Sequence, residues 1–267
     1  MTEIYDNVLD ANEIQTLLDW FDRADDLVDD RINVRSKKPD WDSKSWPQAL
    51  VQKALDRVLD RPYRVEVVLF YGSRISVNLH TDSGNADGQQ LYKNVLIPLH
   101  TQGPATTVTF DNHWYGSHTK FGKIPVSPFV YHLPGKDGKL ELVEDVRVLL
   151  EQCLTAPNTV SQFHVTDKFV KTLQKIVDAR SGIGARKPDG FVTDYSQIKN
   201  YQPNLEFDKD LHKKYFNHLP IENLHGLTVE KIIEWQPGQV ATFDRNQLHC
   251  AGSGHEYKVG ITIFTYC

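Results

Sequence analysis

Cysteine is scarce in this chain. The 267 residues hold three, Cys153, Cys250 and Cys267, widely spaced and not in a zinc-like pair. That argues against a disulfide-stapled scaffold and suggests free thiols in a reducing compartment. Long apolar runs are missing as well. None approaches the roughly twenty residues of a membrane-spanning helix. The first residues, Met1-Thr2-Glu3-Ile4-Tyr5-Asp6, are polar and acidic, without an apolar signal core. A cytoplasmic protein with no membrane partner is the expectation. Positive charge is not concentrated either. The net charge is −5, and the densest basic run is Arg35-Ser36-Lys37-Lys38. No nucleic-acid partner is expected, because such binding rests on a concentrated basic surface. There is no internal repeat. Gly182-Ile183-Gly184-Ala185 lacks the preceding strand and the Gly-Lys-Ser/Thr of a phosphate loop, and reads as a helix terminator.

The apolar and charged fractions are those of an ordinary soluble protein, and the length suits one substantial core with elaborations. Asp10 can cap a helix whose apolar residues Ile14, Leu17, Leu18 and Phe21 share a face. Ser45 and Pro47 open a second, with Leu50, Val51, Ala54, Leu55 and Val58 on one side. From Val65 the pattern turns to strands: 65–71 and 75–79, joined by a Gly72-Ser73 turn, then 91–99 and 106–110 around a Thr101–Pro104 break. Residues 115–225 have a different character, with helices expected near Leu142–Leu154 and Thr166–Arg180, the latter ending before Gly182. A stretch this long is expected to pack over a barrel mouth or form a lid. Its Tyr195, Tyr201, Tyr215 and His225 could line a pocket or simply pack the insertion. The chain reads as one domain, 1–267: N-terminal helices over 1–60, core strands over 61–114 and 226–267, and an insertion over 115–225.

The chemistry concentrates at His80-Thr81-Asp82, which closes the alternating segment Arg74-Ile75-Ser76-Val77-Asn78-Leu79, and at His249 far downstream. On a strand, residues two apart share a face, so His80 and Asp82 can reach one ion. His-x-Asp alone carries little weight, since eleven histidines give about one by chance at ordinary Asp usage. Context adds weight. A Pro-x-Gly turn and a strand (Gly238 to Asp244, then Arg245-Asn246) precede His249, and the basic residue Lys258 follows on a last strand. Two imidazoles and one carboxylate with open positions suit non-haem Fe(II).

This order of residues resembles the Fe(II)/2-oxoglutarate-dependent oxygenases, loosely their prolyl hydroxylase and phytanoyl-type branches. The likeness covers about residues 60–114 and 226–267. Val229 to Asp244 looks like the paired strands before the family's second His, and Lys258 to Thr265 like the strand carrying the 2-oxoglutarate anchor. Lys258 follows His249 by nine residues, slightly short of the usual spacing. The resemblance implies a mainly β double-stranded β-helix, a jelly-roll or cupin-like barrel. It also implies Fe(II) on His80, Asp82 and His249, with 2-oxoglutarate and O2 as co-substrates. The distal carboxylate of 2-oxoglutarate would be held by Lys258, with Arg74 the alternative, and by Thr262. Tyr71, Asn78 and Tyr92 are candidate supporting donors.

The activity so implied is hydroxylation of a C–H bond of a small molecule or free amino acid, with release of succinate and CO2. Asp82 stands where related halogenases lack a carboxylate, which favours hydroxylation. An oxygenase acting on a protein or peptide side chain, and a non-catalytic cupin-like metal-binding protein, are the alternatives. A Zn2+ hydrolase is more distant.

Overall fold

The computed structural model describes residues 1–23, 28–31, 34–43, 45–74, 76–83, 90–116, 119–123, 131–137, 140–184, 191–253 and 257–267. The chain divides into two compact units, Met1–Ile124 with Phe191–Cys267, and Pro125–Gly190. In order, the elements are β1 (Glu3–Tyr5), α1 (Ala11–Asp22), β2 (Val28–Arg31), β3 (Val34–Lys37), α2 (Gln48–Val58), β4 (Arg64–Ser73), β5 (Leu91–Gln102) and β6 (Thr106–His113). There follow β7 (Lys120–Phe121), β8 (Tyr131–Pro134), β9 (Leu140–Val143), α3 (Val146–Thr155), α4 (Asp167–Gly184), β10 (Phe191–Val192) and α5 (Lys209–Tyr215). The last strands are β11 (Val229–Glu234), β12 (Val240–Asp244), β13 (Gln247–Ala251) and β14 (Tyr257–Tyr266).

The first unit is built on antiparallel sheets. The larger has the order β1-β12-β5-β14-β4-β3-β2 and a smaller one has the order β11-β6-β13. Helix α1 begins as its sequence predicts: Asp10 accepts from the Asn12 and Glu13 backbone N–H groups, and Glu13 returns a bond to Asp10. With α2 it buries Leu17, Phe21, Val51 and Leu55 on one face of the large sheet, against Val68, Phe70, Val95, Ile97, Ile261 and Ile263. The opposite face of that sheet meets the small one, where Leu96, Ala241 and Phe243 pack with Ile233 and Trp235. The outer side of the small sheet, Val108, Phe110, Leu248 and Cys250, is covered by residues 191–227, including Tyr195, Phe207 and Phe216. Residues 191–225, expected within the insertion, thus belong to the first unit.

Three strand expectations are corrected. Gly72 and Ser73 do not turn the chain: β4 runs straight through them, pairing Gly72 with Val259 and Ser73 with Lys258. Gly72 is there for close approach, since a Cβ would lie 2.2 Å from the Tyr257 hydroxyl. Of the expected strand 75–79, Ile75 lies outside the described residues and 76–79 are irregular. Finally, β11 and β12 do not pair with each other. β11 joins β6 and β12 joins β5, and the Trp235–Gln239 link, with Gly238 at φ 89°, carries the chain from one sheet to the other.

The second unit pairs β8 with β9 and packs α3 against α4 around Leu133, Leu149, Leu150, Phe163, Leu173 and Ile176. Helix α3 starts at Val146, because Asp145 caps it by accepting from the Arg147 N–H, and Leu142 belongs to β9 instead. Helix α4 continues through Gly182 to Gly184, past the terminator expected there; Ala185 lies outside the described residues. Among the described residues no helix is long and apolar enough to cross a membrane.

Candidate metal centre

His80 and His249 face each other through a reciprocal backbone pair: each N–H donates to the other's carbonyl at 2.9 Å. This isolated antiparallel bridge, rather than a continuous strand, fixes the His-x-Asp segment against β13. The imidazole centroids are 4.1 Å apart. Asp82 completes the group, with Oδ2 3.0 Å from His249 Nε2 and Oδ1 3.7 Å from His80 Nε2. One ligand atom from each lies within 4.8 Å of the others, the spacing of a site that could hold a metal ion.

The tautomers are determined by neighbouring carbonyls. His80 Nδ1–H donates to the Asn78 carbonyl at 2.8 Å, and His249 Nδ1–H to the Gln247 carbonyl at 3.0 Å. Both Nε2 atoms are therefore left facing the cluster, the arrangement of metal-ligating histidines. Burial, reinforced by His249, pushes the His80 pKa down to about 4, so the ring is neutral at pH 7. Burial would raise the Asp82 pKa, but His249, His80 and Arg245 outweigh it and hold the carboxyl below its usual range. The side chains of His80, Asp82 and His249 are 25%, 14% and 6% exposed, so access to the cluster is greatest at His80.

Further partners hold these side chains. The Asn94 amide donates to Asp82 Oδ2, and Thr262 Oγ1 donates to Asn94 Oδ1 at 3.2 Å. Behind His249, the Gln247 amide donates to Glu230, which also accepts from the Thr2 N–H at 3.0 Å and the Thr2 hydroxyl at 2.7 Å. The N-terminal strand is thereby tied to the same site. Asn94, Arg245 and Glu230 were not anticipated. Asn94 and Glu230 come from strands β5 and β11 and Arg245 from the turn between β12 and β13; the signal for Asn94 is only a polar residue amid an apolar β5 pattern.

Lys258 lies on β14 four residues before Thr262, and Lys258, Gly260 and Thr262 alternate onto one face in regular register with β4. It is 1% exposed, and burial pushes its pKa down to about 7. Its ammonium sits 4.7 Å from the Trp235 ring centre, with the buried Cys250 thiol as its electrostatic neighbour. No carboxylate pairs with it among the described residues. Tyr71 shares this interior, its ring 6.2 Å from that of Trp235. Its hydroxyl pKa is raised by burial and by Asp82.

The other expected residues are placed differently. The Asn78 contact to the site is made by its carbonyl, and the Thr262 hydroxyl is engaged with Asn94. The Tyr92 hydroxyl donates to Asp60 at 2.5 Å and is not part of the cluster. Arg74 is exposed and lies over the Tyr257 ring. Tyr195 donates to the Asn223 carbonyl, and Lys123 lies between Tyr195 and Tyr201 while donating to the His225 carbonyl. These residues pack the core.

Gly260 shapes the interior beside Lys258. A Cβ there would lie 2.8 Å from Trp235 Cη2 and 3.2 Å from the Ile97 carbonyl. Trp235 is pinned by its Nε1 bond to Thr107 at 3.0 Å and cannot recede without losing it. Gly260→Ala is expected to destabilise the protein by about 1–3 kcal/mol, the usual cost of overpacking, measured as a lower urea midpoint at unchanged slope.

No protein-family model and no curated protein matches the chain. Among solved structures, matches include the alpha-ketoglutarate-dependent carbocyclase SnoK from nogalamycin biosynthesis (10% identity, TM-score 0.41, 99% of this chain and 79% of that one). HygX from Streptomyces hygroscopicus, with nickel, 2-oxoglutarate and hygromycin B bound, matches at 13% identity and TM-score 0.41, over 99% of this chain and 81% of that one. A Trichoplax adhaerens prolyl hydroxylase in complex with a hypoxia inducible factor peptide matches at 10% identity and TM-score 0.41, over 99% and 83%.

Proposed function

We propose that this protein is an Fe(II)- and 2-oxoglutarate-dependent dioxygenase that hydroxylates a C–H bond of a small molecule or amino acid, releasing succinate and CO2. The observation that carries the reading is the pairing of a preorganised two-His, one-carboxylate cluster with a buried cation that lacks a counter-ion among the described residues, on the same interior. The two facing antiparallel sheets are read as the double-stranded β-helix of the jelly-roll class.

The donor set fits Fe(II) with open positions, held by His80, Asp82 and His249. Fe(II) with 2-oxoglutarate, when bound, would supply the activation of O2, the oxidant consumed in breaking a C–H bond. The chain's own part is positioning and charge. The Asn78 and Gln247 carbonyls keep both histidines in the ligating tautomer. Lys258 offers a compact cation with three donors to the distal carboxylate of 2-oxoglutarate, and Trp235 packs against it. Burying an uncompensated ammonium is costly, and an anionic co-substrate relieves that cost. A purely metal-binding cupin-like barrel has no use for such a cation, which is why the enzyme reading is preferred.

The test is anaerobic titration of the Fe(II)-loaded protein with 2-oxoglutarate. A visible metal-to-ligand charge-transfer band that needs both components is expected. Iron that binds tightly without producing that band would transfer the reading to a non-catalytic metal-binding protein. Succinate release against panels of small molecules, amino acids and peptides then identifies the substrate class.

A further inference from the structure

Asp82 is held at more than its carboxylate. Its backbone N–H donates to the Arg245 carbonyl at 2.9 Å, and its carbonyl accepts from Arg245 Nε at 3.0 Å. One residue therefore grips both sides of the Asp82 peptide. The guanidinium that does so is 1% exposed. Its other nitrogens donate to the Thr265 carbonyl at 3.3 Å and pair with Glu66 Oε2 at 2.6 Å, and it lies 5.0 and 4.8 Å from the ring centres of Phe264 and Tyr266. Glu66 is itself 34% exposed at its side chain.

A fully buried arginine is costly unless its donors are used, and here two are spent on backbone carbonyls, one of them that of Asp82. A planar fork suits this task, because fixed N–H directions transmit the position of β4 and β14 to the Asp82 peptide. A buried arginine merely filling space would not need to bond both sides of one residue in a loop.

We propose that Arg245, oriented by Glu66, is a positioning residue for the metal-binding carboxylate: it sets where Asp82 stands relative to His80 and His249 and so governs metal affinity. The proposal rests on the metal-site reading above. It assigns Arg245 no contact with substrate or co-substrate.

The test uses Co2+ alone as a spectroscopic probe, titrated anaerobically into wild type, Arg245→Lys and Glu66→Gln, with ligand-free melting temperatures measured in parallel. Arg245→Lys keeps the charge but loses the fork. It is expected to weaken Co2+ binding about 10- to 100-fold, the usual cost of losing an outer-shell partner. Glu66→Gln, at a partly exposed position, should weaken it several-fold in the same direction. In folded Arg245→Lys, the KM for 2-oxoglutarate at saturating metal should stay near wild type. A merely structural arginine would lower the melting temperature and leave Co2+ affinity unchanged at temperatures well below it; that result overturns the proposal. If Arg245→Lys does not fold, wild-type Co2+ affinity in Glu66→Gln overturns it equally. Absence of Co2+ binding by wild type would instead reject the metal site on which it stands.

Discussion

Lys258→Met is expected to lose 2-oxoglutarate binding while gaining stability. Truncating one partner of a buried charged contact costs about 2–5 kcal/mol of binding, so the co-substrate Kd should rise by at least about 30-fold, with Fe(II) affinity nearly unchanged. Without ligand, the wild-type ammonium is buried against Trp235 and Cys250 with no counter-ion among the described residues. Replacing it by an apolar chain of similar length removes that penalty and should raise the melting temperature. A structural lysine would show the opposite: loss of stability and no change in co-substrate affinity. Fluorescence-detected melting and anaerobic co-substrate titration separate the two.

The same lysine gives a pH dependence whose sign follows from burial. Its pKa in the folded, ligand-free protein is lowered to about 7, against about 10.4 in an unfolded chain. Between these values the unfolded state binds more protons, so the Lys258 contribution makes the ligand-free protein more stable as pH rises from about 7 toward 10. Co-substrate binding goes the other way. The anion needs the ammonium form, so affinity should be greatest below about pH 7 and weaken above it. A flat profile for wild type between pH 6 and 8.5, measured with metal saturating, would show that Lys258 is not the anchor.

Replacing His249 by Ala removes the most buried member of the metal cluster. Turnover should fall by more than the roughly 10–100-fold that loss of an outer-shell partner costs, and Fe(II) should no longer produce a charge-transfer band with 2-oxoglutarate. The fold should survive, because the His249 backbone pair with His80 does not depend on its ring. His80→Ala and Asp82→Ala are expected to behave alike. A folded variant with wild-type turnover would remove that residue from the proposed ligand set.

The helices, most strands and the three clustered residues were legible in the sequence for local reasons. Capping at Asp10 and the spacing of Ile14, Leu17 and Phe21 act within one or two turns. His80 and Asp82 are two residues apart, and His249 was found by its order after a turn and a strand. Errors arose where a local signal had a tertiary cause. Gly72 looks like a turn residue, yet its missing side chain makes room for Tyr257. Gly182 looks like a helix terminator, yet it lies within α4. The partners of the Tyr92 and Thr262 hydroxyls, Asp60 and Asn94, were not readable either, because a hydroxyl's partner depends on which strand folds beside it.

By itself, then, the sequence determined which residue types were available for a metal and where the chain alternates between helix and strand, because both depend on neighbours a few residues away. The tertiary structure decided that β11 and β12 enter different sheets, that the His-x-Asp segment is seated by a single bridge to β13, and that Asn94 and Arg245 reach Asp82. It also decided that Lys258 is buried without a counter-ion among the described residues. Those outcomes depend on contacts between residues up to about 170 positions apart, whose register no local pattern encodes.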